Sequence, residues 1–404
     1  LKAGRGIHER SEKSQFHSVH LSYEPKHNAA SPRVHSSIIA LATWGRDGTT
    51  DIKLQQWLNA VKPPEGRDSA FHLDWPVQVN RLLLKNPPEG AGNPPPGQPG
   101  DSPSGGTGGN PPFSLIVSIG QVVPHEIAGM ANHAKNIFVG TGGAGAIHKS
   151  HWLGALYGLE RLMGQAENPV RRLFDEALRR YGDLLPPILW VLTVVDYHNR
   201  VRGFFCGFGR KCFEDAAALA AKLNIERVSD QGGGIRKAVV WLDPEEYRST
   251  WLGNKAIYRT RRALAEGGEL LILAPGLDRF GEDPALDALI RRYGYRGTEA
   301  IRRAVEAGGP LAENLSAAAH LIHGSSEGRF TIRYCTEDRP GGKPGALDRA
   351  AIKAAGYAWG DLEAARSRYM PEGPDKQNQG WNTTADGEPY YFIRNPALGL
   401  WVRE

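Results

Sequence analysis

Residues 124–151 read PHEIAGMANHAKNIFVGTGGAGAIHKSH and follow the apolar run Phe113-Ser114-Leu115-Ile116-Val117-Ser118-Ile119, which Gly120 ends. The run has the composition of a buried strand, and the segment after it gathers four histidines, two lysines and a glycine-rich turn within 28 residues. Open α/β sheets place their ligands where strands end, so this segment is a site by position. Downstream, a helix is expected over 152–163. A second is expected over 170–181, where Val170, Leu173, Phe174, Ala177, Leu178 and Tyr181 share one face and Gly182 stops the helix. Strands at 188–195 and 201–205, joined by a turn at His198-Asn199, precede an Ala-rich helix at 213–223. Beyond a hinge at Gln231-Gly232-Gly233-Gly234 the pattern is strand 238–242, helix 249–265, strand 269–274, helices near 284–294, 297–308 and 311–322, and strand 329–334. Such alternation specifies an α/β protein. The expectation is two α/β domains, each with a mainly parallel sheet, and the active site in the cleft between them. The domains are 1–230, with 87–112 as a mobile loop, and 235–384, with 385–404 packing back on the body.

The chain has 404 residues, which suits two or three domains of roughly 100–200 residues each. Hydrophobic residues make up 40% and charged residues 23%, and no run approaches the roughly 18 apolar residues that cross a bilayer. No membrane is expected as a partner. The net charge of +5 is spread without a basic stripe, so nucleic acid is not expected either. Three cysteines, Cys206, Cys212 and Cys335, are too few for a disulfide framework and suit a reducing cytoplasm. Residue 1 is leucine and residues 1–33 are polar, which reads as an incomplete or irregular start.

Two short motifs compete for the site. Gly140-x-Gly142-x-x-Gly145 matches a dinucleotide fingerprint, but the acidic residue it requires about 20 positions on falls at Glu160, inside an expected helix. His148-x-x-His151 presents two imidazoles without a third or fourth ligand for zinc.

The whole segment is more specific than either motif. In VVPHEIAGMANHAKNIFVGTGG and IHKSHWLGALYG, with an echo in STWLGNKAIYRTRRALAEGGEL, the sequence resembles the nickel-dependent lactate racemase family over about residues 75–404. In that family a histidine, a lysine ten positions later and a histidine sixteen beyond it form the core of the site; here they fall on His125, Lys135 and His151. The resemblance implies a nickel-pincer nucleotide, pyridinium-3,5-bisthiocarboxylic acid mononucleotide nickel, attached covalently to Lys135 and ligated at nickel by His151. It also implies racemisation or epimerisation of a 2-hydroxy acid by proton abstraction and reversible hydride transfer through a 2-keto acid. His125 matches one acid/base group, and the partners implied are a small 2-hydroxy acid and the cofactor-synthesis enzymes.

Gly140, Gly142 and Gly143, in the turn before the next helix, are expected to take the nucleotide phosphate on backbone N–H groups. Lys255 matches the family lysine that contacts substrate, with Leu252 where the family often has glutamine. The family's other histidine has no counterpart in Ala42-Thr43-Trp44-Gly45-Arg46, which leaves His35 or His72 as substitutes. Gly380-Trp381-Asn382-Thr383 and Asn395-Pro396-Ala397-Leu398 look family-like and are expected to pack. Alternatives are a ligand- or cofactor-binding member lacking one base, and an NAD-dependent dehydrogenase.

Overall fold

The computed structural model describes residues 75–80, 83–85, 113–228, 233–338 and 347–404, with the backbone of 38–44. The expectations for residues 1–33, His35, Arg46, His72, the 87–112 loop, Gln231 and Gly232 lie outside the described residues.

Strands β1 (Ile38–Trp44) and β2 (Trp75–Asn80) pair antiparallel. In β2 the alternation WPVQVN sends Trp75, Val77 and Val79 into the core and leaves Gln78 half-buried. Strand β3 (Ile116–Gln121) leads into a two-residue pairing of β4 (Pro124–His125) with β5 (Gly129–Met130). Helices α1 (Ala144–Tyr157) and α2 (Pro169–Tyr181) follow, the second with Asn168 accepting from Arg171 N as its cap. Strand β6 (Ile188–Val195) runs parallel to β3 and antiparallel to β7 (Val201–Gly207). Helix α3 (Arg210–Asn224) covers one face of this sheet and passes into β8 (Ile225–Val228).

In the second half, β9 (Ile235–Trp241) is followed by the short helix α4 (Lys255–Thr260) and by β10 (Leu264–Leu273). Helix α5 (Leu315–His323) precedes β11 (Thr331–Thr336), β12 (Ala358–Asp361) and β13 (Gly380–Thr383). The chain ends with β14 (Pro389–Ile393) and β15 (Leu400–Arg403). Six strands form one sheet in the order β12-β11-β10-β9-β14-β13, parallel except at β13. The final strand crosses to the other half and pairs with β8. The architecture is α/β in two parts, each built on its own sheet and core.

Three sequence expectations change. Strand β3 is not buried: Val117 and Ile119 are 50% and 69% exposed, because α3 covers only the opposite face of the sheet. The helix expected from residue 152 begins eight residues earlier, at Ala144, since the glycines before it form its cap rather than a free loop, and it stops at Gly158 with φ +106. The helix expected over 249–265 breaks at Asn254, and the chain is already a strand at Leu264. Asn254 is fully buried and its Oδ1 accepts from the hydroxyls of Tyr334 (2.7 Å) and Tyr357 (3.1 Å), a fixed point that ends one helix and starts the next.

Helix α1 joins the two cores. Ala146 and Leu153 pack with Trp75, Phe138, Phe174 and Trp190 in the first, while Trp152, Ala155 and Leu156 pack with α5 and the six-stranded sheet in the second. A helix apolar on all sides is a buried helix.

The glycines of the turn have a packing reason. A Cβ on Gly142 would lie 1.9 Å from the carbonyl oxygen of Phe138 and 3.3 Å from that of Gln78. Gly142→Ala is therefore expected to destabilise the apoprotein by about 1–3 kcal/mol through overpacking, read as a lower thermal midpoint without any ligand present. An unchanged midpoint would free this glycine for a role in binding.

Candidate active site

Residues Gln121 to Pro124 lead the chain off the carboxyl end of β3, and the β4–β5 pairing folds it back so that His125 and Glu126 sit at the turn. His125 Nδ1 accepts from Ile127 N at 3.1 Å and Ala128 N at 3.4 Å, so the neutral ring carries its proton on Nε2. Burial holds its pKa well below the usual histidine value; Glu126, with Oε2 3.8 Å from Nδ1, opposes this, and Lys135 and His151 add to it.

Lys135 is placed by an unusual piece of backbone. Asn132 and His133 both adopt positive φ (74° and 59°), and residues Asn136–Gly140 form a single π-helical turn. The Asn132 side chain fixes the turn: its Oδ1 accepts from His133 N and Asn136 Nδ2, each at 2.8 Å. Arg171, wholly buried in α2 and lying over the Phe213 ring, donates to the carbonyls of Asn132 (2.9 Å) and Met130. Lys135 itself has no hydrogen bond or ion pair among the described residues. Burial lowers its pKa, opposed by Glu126.

Helix α1 supplies two histidines with different duties. His151 Nδ1 donates to Ile147 O at 2.7 Å, which leaves the Nε2 lone pair for a ligand, and burial pushes its pKa down to about 4. His148 is committed instead to α5, with Nδ1 2.9 Å from Ser316 Oγ. His133 is 3% exposed, lies between the rings of Trp190 and Phe213, and faces Asp175 at 3.4 Å; it belongs to the first core. Among the described residues no three His, Cys, Asp or Glu side chains converge as a metal site.

The second half contributes charged groups to the same neighbourhood. Lys255 follows β9, its ammonium 5.6 Å from the Tyr247 ring centre, and burial lowers its pKa against the pull of Glu246. One helical turn on, Arg259 is 4% exposed; Nη1 donates to Gly399 O at 3.1 Å, while Nε is buried without a partner. Helix α5 carries two buried histidines. His320 is stacked on Trp251 and its Nε2 meets Tyr295 Oη at 3.1 Å, whereas His323 Nε2 is buried and meets no partner. Burial would raise the Glu126 carboxyl, but the Arg259 guanidinium and a backbone hydrogen bond are among the groups that outweigh it and hold it ionised. The charge of Glu126 acts on His125, Lys135, His151, Lys255, Arg259 and His323, which brings the expected His125, Lys135, His151 and Lys255 into one electrostatic neighbourhood. Only His125 lies within 4 Å of that carboxylate as a described ion-pair partner.

Of the glycine turn, Gly140 ends the π turn, Gly142 packs on Phe138, and Gly143 caps α1 with no side-chain bond. Gln78 Oε1 already takes Ala146 N at 3.1 Å, so β2 occupies part of that helix end. Sequence reasoning gave no role to Glu126, Arg171, Arg259, His320 or His323. Histidines three apart in the otherwise apolar LSAAAHLIH, and an arginine four residues after Lys255, were the available signals.

No family model and no curated protein matches the chain. Solved structures do. A Thermotoga maritima protein is 20% identical with a TM-score of 0.61, over 81% of this chain and 70% of that one. The lactate racemase apoprotein from Thermoanaerobacterium thermosaccharolyticum is 14% identical with a TM-score of 0.56, over 82% of this chain and 66% of that one. The chain thus has the α/β fold of the lactate racemase apoprotein. Among the described residues no helix is long and apolar enough to cross a membrane.

Burial pushes the pKa values of His320 and His323 down to about 3 from 6.5. Between those limits the unfolded chain binds protons that the folded chain refuses, so stability is full above about pH 6.5 and falls as pH drops. Each histidine contributes about 1.4 kcal/mol per pH unit within that window. Urea unfolding of the apoprotein should show a lower midpoint at about pH 5 than at about pH 7; equal midpoints would contradict the buried neutral pair.

Proposed function

We propose that this protein binds a nickel-pincer nucleotide at Lys135 and His151 and interconverts the stereoisomers of a 2-hydroxy acid. The observation behind this is the pairing of a buried lysine that lacks any partner among the described residues with a neutral histidine whose Nε2 lone pair is left open. A desolvated amine is a nucleophile suited to thioamide formation, and imidazole suits Ni(II). The donor set fits a metal whose other ligands arrive with the cofactor, since His151 is the one histidine of α1 not tied to α5. When bound, the group supplies nickel and an electron-poor ring able to take up and return a hydride.

The chain's own residues then have defined tasks. Lys255 neutralises the substrate carboxylate. His125, with its proton on Nε2, donates a hydrogen bond to the substrate oxygen and polarises the 2-keto state. Arg171 and the Asn132-His133 turn hold Lys135 in place. Gly143, the N-cap of α1, offers a backbone N–H group to the phosphate. The further partners are the enzymes that make the cofactor, in a reducing cytoplasm that suits three unpaired cysteines. The division at 230/235, with 385–404 as a returning segment, is proposed with it.

Protein produced together with the cofactor-synthesis enzymes should show an intact-mass adduct that Lys135→Ala abolishes. His151→Ala should keep the adduct and lose nickel. His125→Asn should keep both while turnover falls about 10²–10⁴-fold. An unmodified wild-type mass without nickel would sink the proposal.

A further inference from the structure

The three-stranded sheet of the first half has one face that the described elements leave open. Helix α3 packs on the other side, where Trp190, Leu192 and Val194 of β6 are buried. On the open side the register sets Val117 beside Leu189, and Ile119 beside Val191, which in turn lies beside Cys206. Thr193 lies beside Phe204 in the next row. Val117, Ile119, Val201, Phe204 and Phe208 are each half exposed or more, and Cys206 is the exposed one of the three cysteines. Among the described residues of the second half, Trp381 is the sole large hydrophobic residue exposed to a similar degree.

Such a face is built to be covered. Strands β3 and β6 are parallel, and sheets of parallel strands are normally covered on both sides. Soluble monomers rarely leave a contiguous apolar patch larger than a few hundred Å². An aromatic or large aliphatic side chain offers about 150–250 Å² when fully open, so at half exposure these five together offer on the order of 500 Å². Phe113 and Leu115, which lead into β3, and the half-buried Leu189, Val191 and Val195 bring this to roughly 800 Å². A specific dimer buries about 800 Å² per partner.

Charge selects the occupant. The one charged residue of these three strands, Arg202, stands at the bulge next to Val201 and reaches Asp196 Oδ2 at 3.7 Å, at the hairpin end. In a two-fold dimer a patch meets its own copy, so a charge near the axis would face a like charge. An uncharged patch meets itself without that cost and gives an ionic partner nothing to recognise. We propose that this face is the contact between two copies of the chain, sheet packed on sheet about a two-fold axis. The proposal is independent of the racemase reading.

Sedimentation equilibrium and thiol labelling of the apoprotein test it together. The wild type should sediment with twice the mass of the chain. Cys206 should react slowly with a thiol reagent in the dimer and faster as dilution separates the copies, with the buried Cys212 and Cys335 as slow references. Phe204→Asp should be a monomer with wild-type circular dichroism and a fast-reacting Cys206. The milder Phe204→Ser should weaken the dimer, and it carries the test where the aspartate prevents folding. A wild type that is monomeric at every concentration would overturn the proposal: with Cys206 protected, another part of the same chain covers the face, and with Cys206 reactive, the face stays open. A dimer that both substitutions leave intact would overturn it as well, by placing the contact elsewhere.

Discussion

Everything in the site depends on α1 being buried from both sides. Trp152, Ala155 and Leu156 belong to the core of the second half, and Ala146 and Leu153 to that of the first. The helix cannot rotate without tearing one core or the other, so His151, hydrogen-bonded to Ile147 O on the same helix, has a fixed direction. Well-packed interiors transmit such constraints because they have few voids to absorb a shift. The π turn that follows Lys135 runs directly into the cap of α1, which ties the lysine to the same rigid element.

The second constraint is electrostatic. A carboxylate, two ammonium groups, a guanidinium and several imidazoles are held out of water together, and the neighbourhood is tolerable because the histidines stay neutral and Glu126 stays ionised. Glu126 offsets cations from both halves, Lys135 on one side and Lys255 and Arg259 on the other. The halves are stitched around it by Arg261 to Glu160, Arg262 to Met163 O at 3.3 Å, and His148 to Ser316. The final strand, paired with β8, adds a backbone clasp.

Much of this was legible before any coordinates. Strand–helix alternation specified an α/β protein with its ligand end after residue 120, because hydrophobic period and turn residues are local signals. The pairing of His125, Lys135 and His151 came instead from the resemblance to the lactate racemase family, and their roles belong to the proposed function. What escaped reading depends on partners far away in sequence. Arg171 sits in an ordinary amphipathic helix, and only the carbonyls of Met130 and Asn132, about forty positions earlier, give it a purpose. Asn254 breaks a helix because tyrosines 80 and 103 residues later bind it. Gly142, which suggested a dinucleotide fingerprint, is small because Phe138 and β2 approach it closely. The exposed face of β3 had the composition of a buried strand, since nothing local distinguishes the two.

The proposal at stake is that nickel takes one imidazole from the described residues, that of His151, and its remaining ligands from a group held by Lys135. Nickel K-edge X-ray absorption on protein produced with the cofactor-synthesis enzymes measures this directly. A first shell containing sulfur together with one imidazole nitrogen, the latter lost in His151→Ala, is the result the account predicts. A shell of nitrogen and oxygen alone, or one unchanged by that substitution, would contradict it.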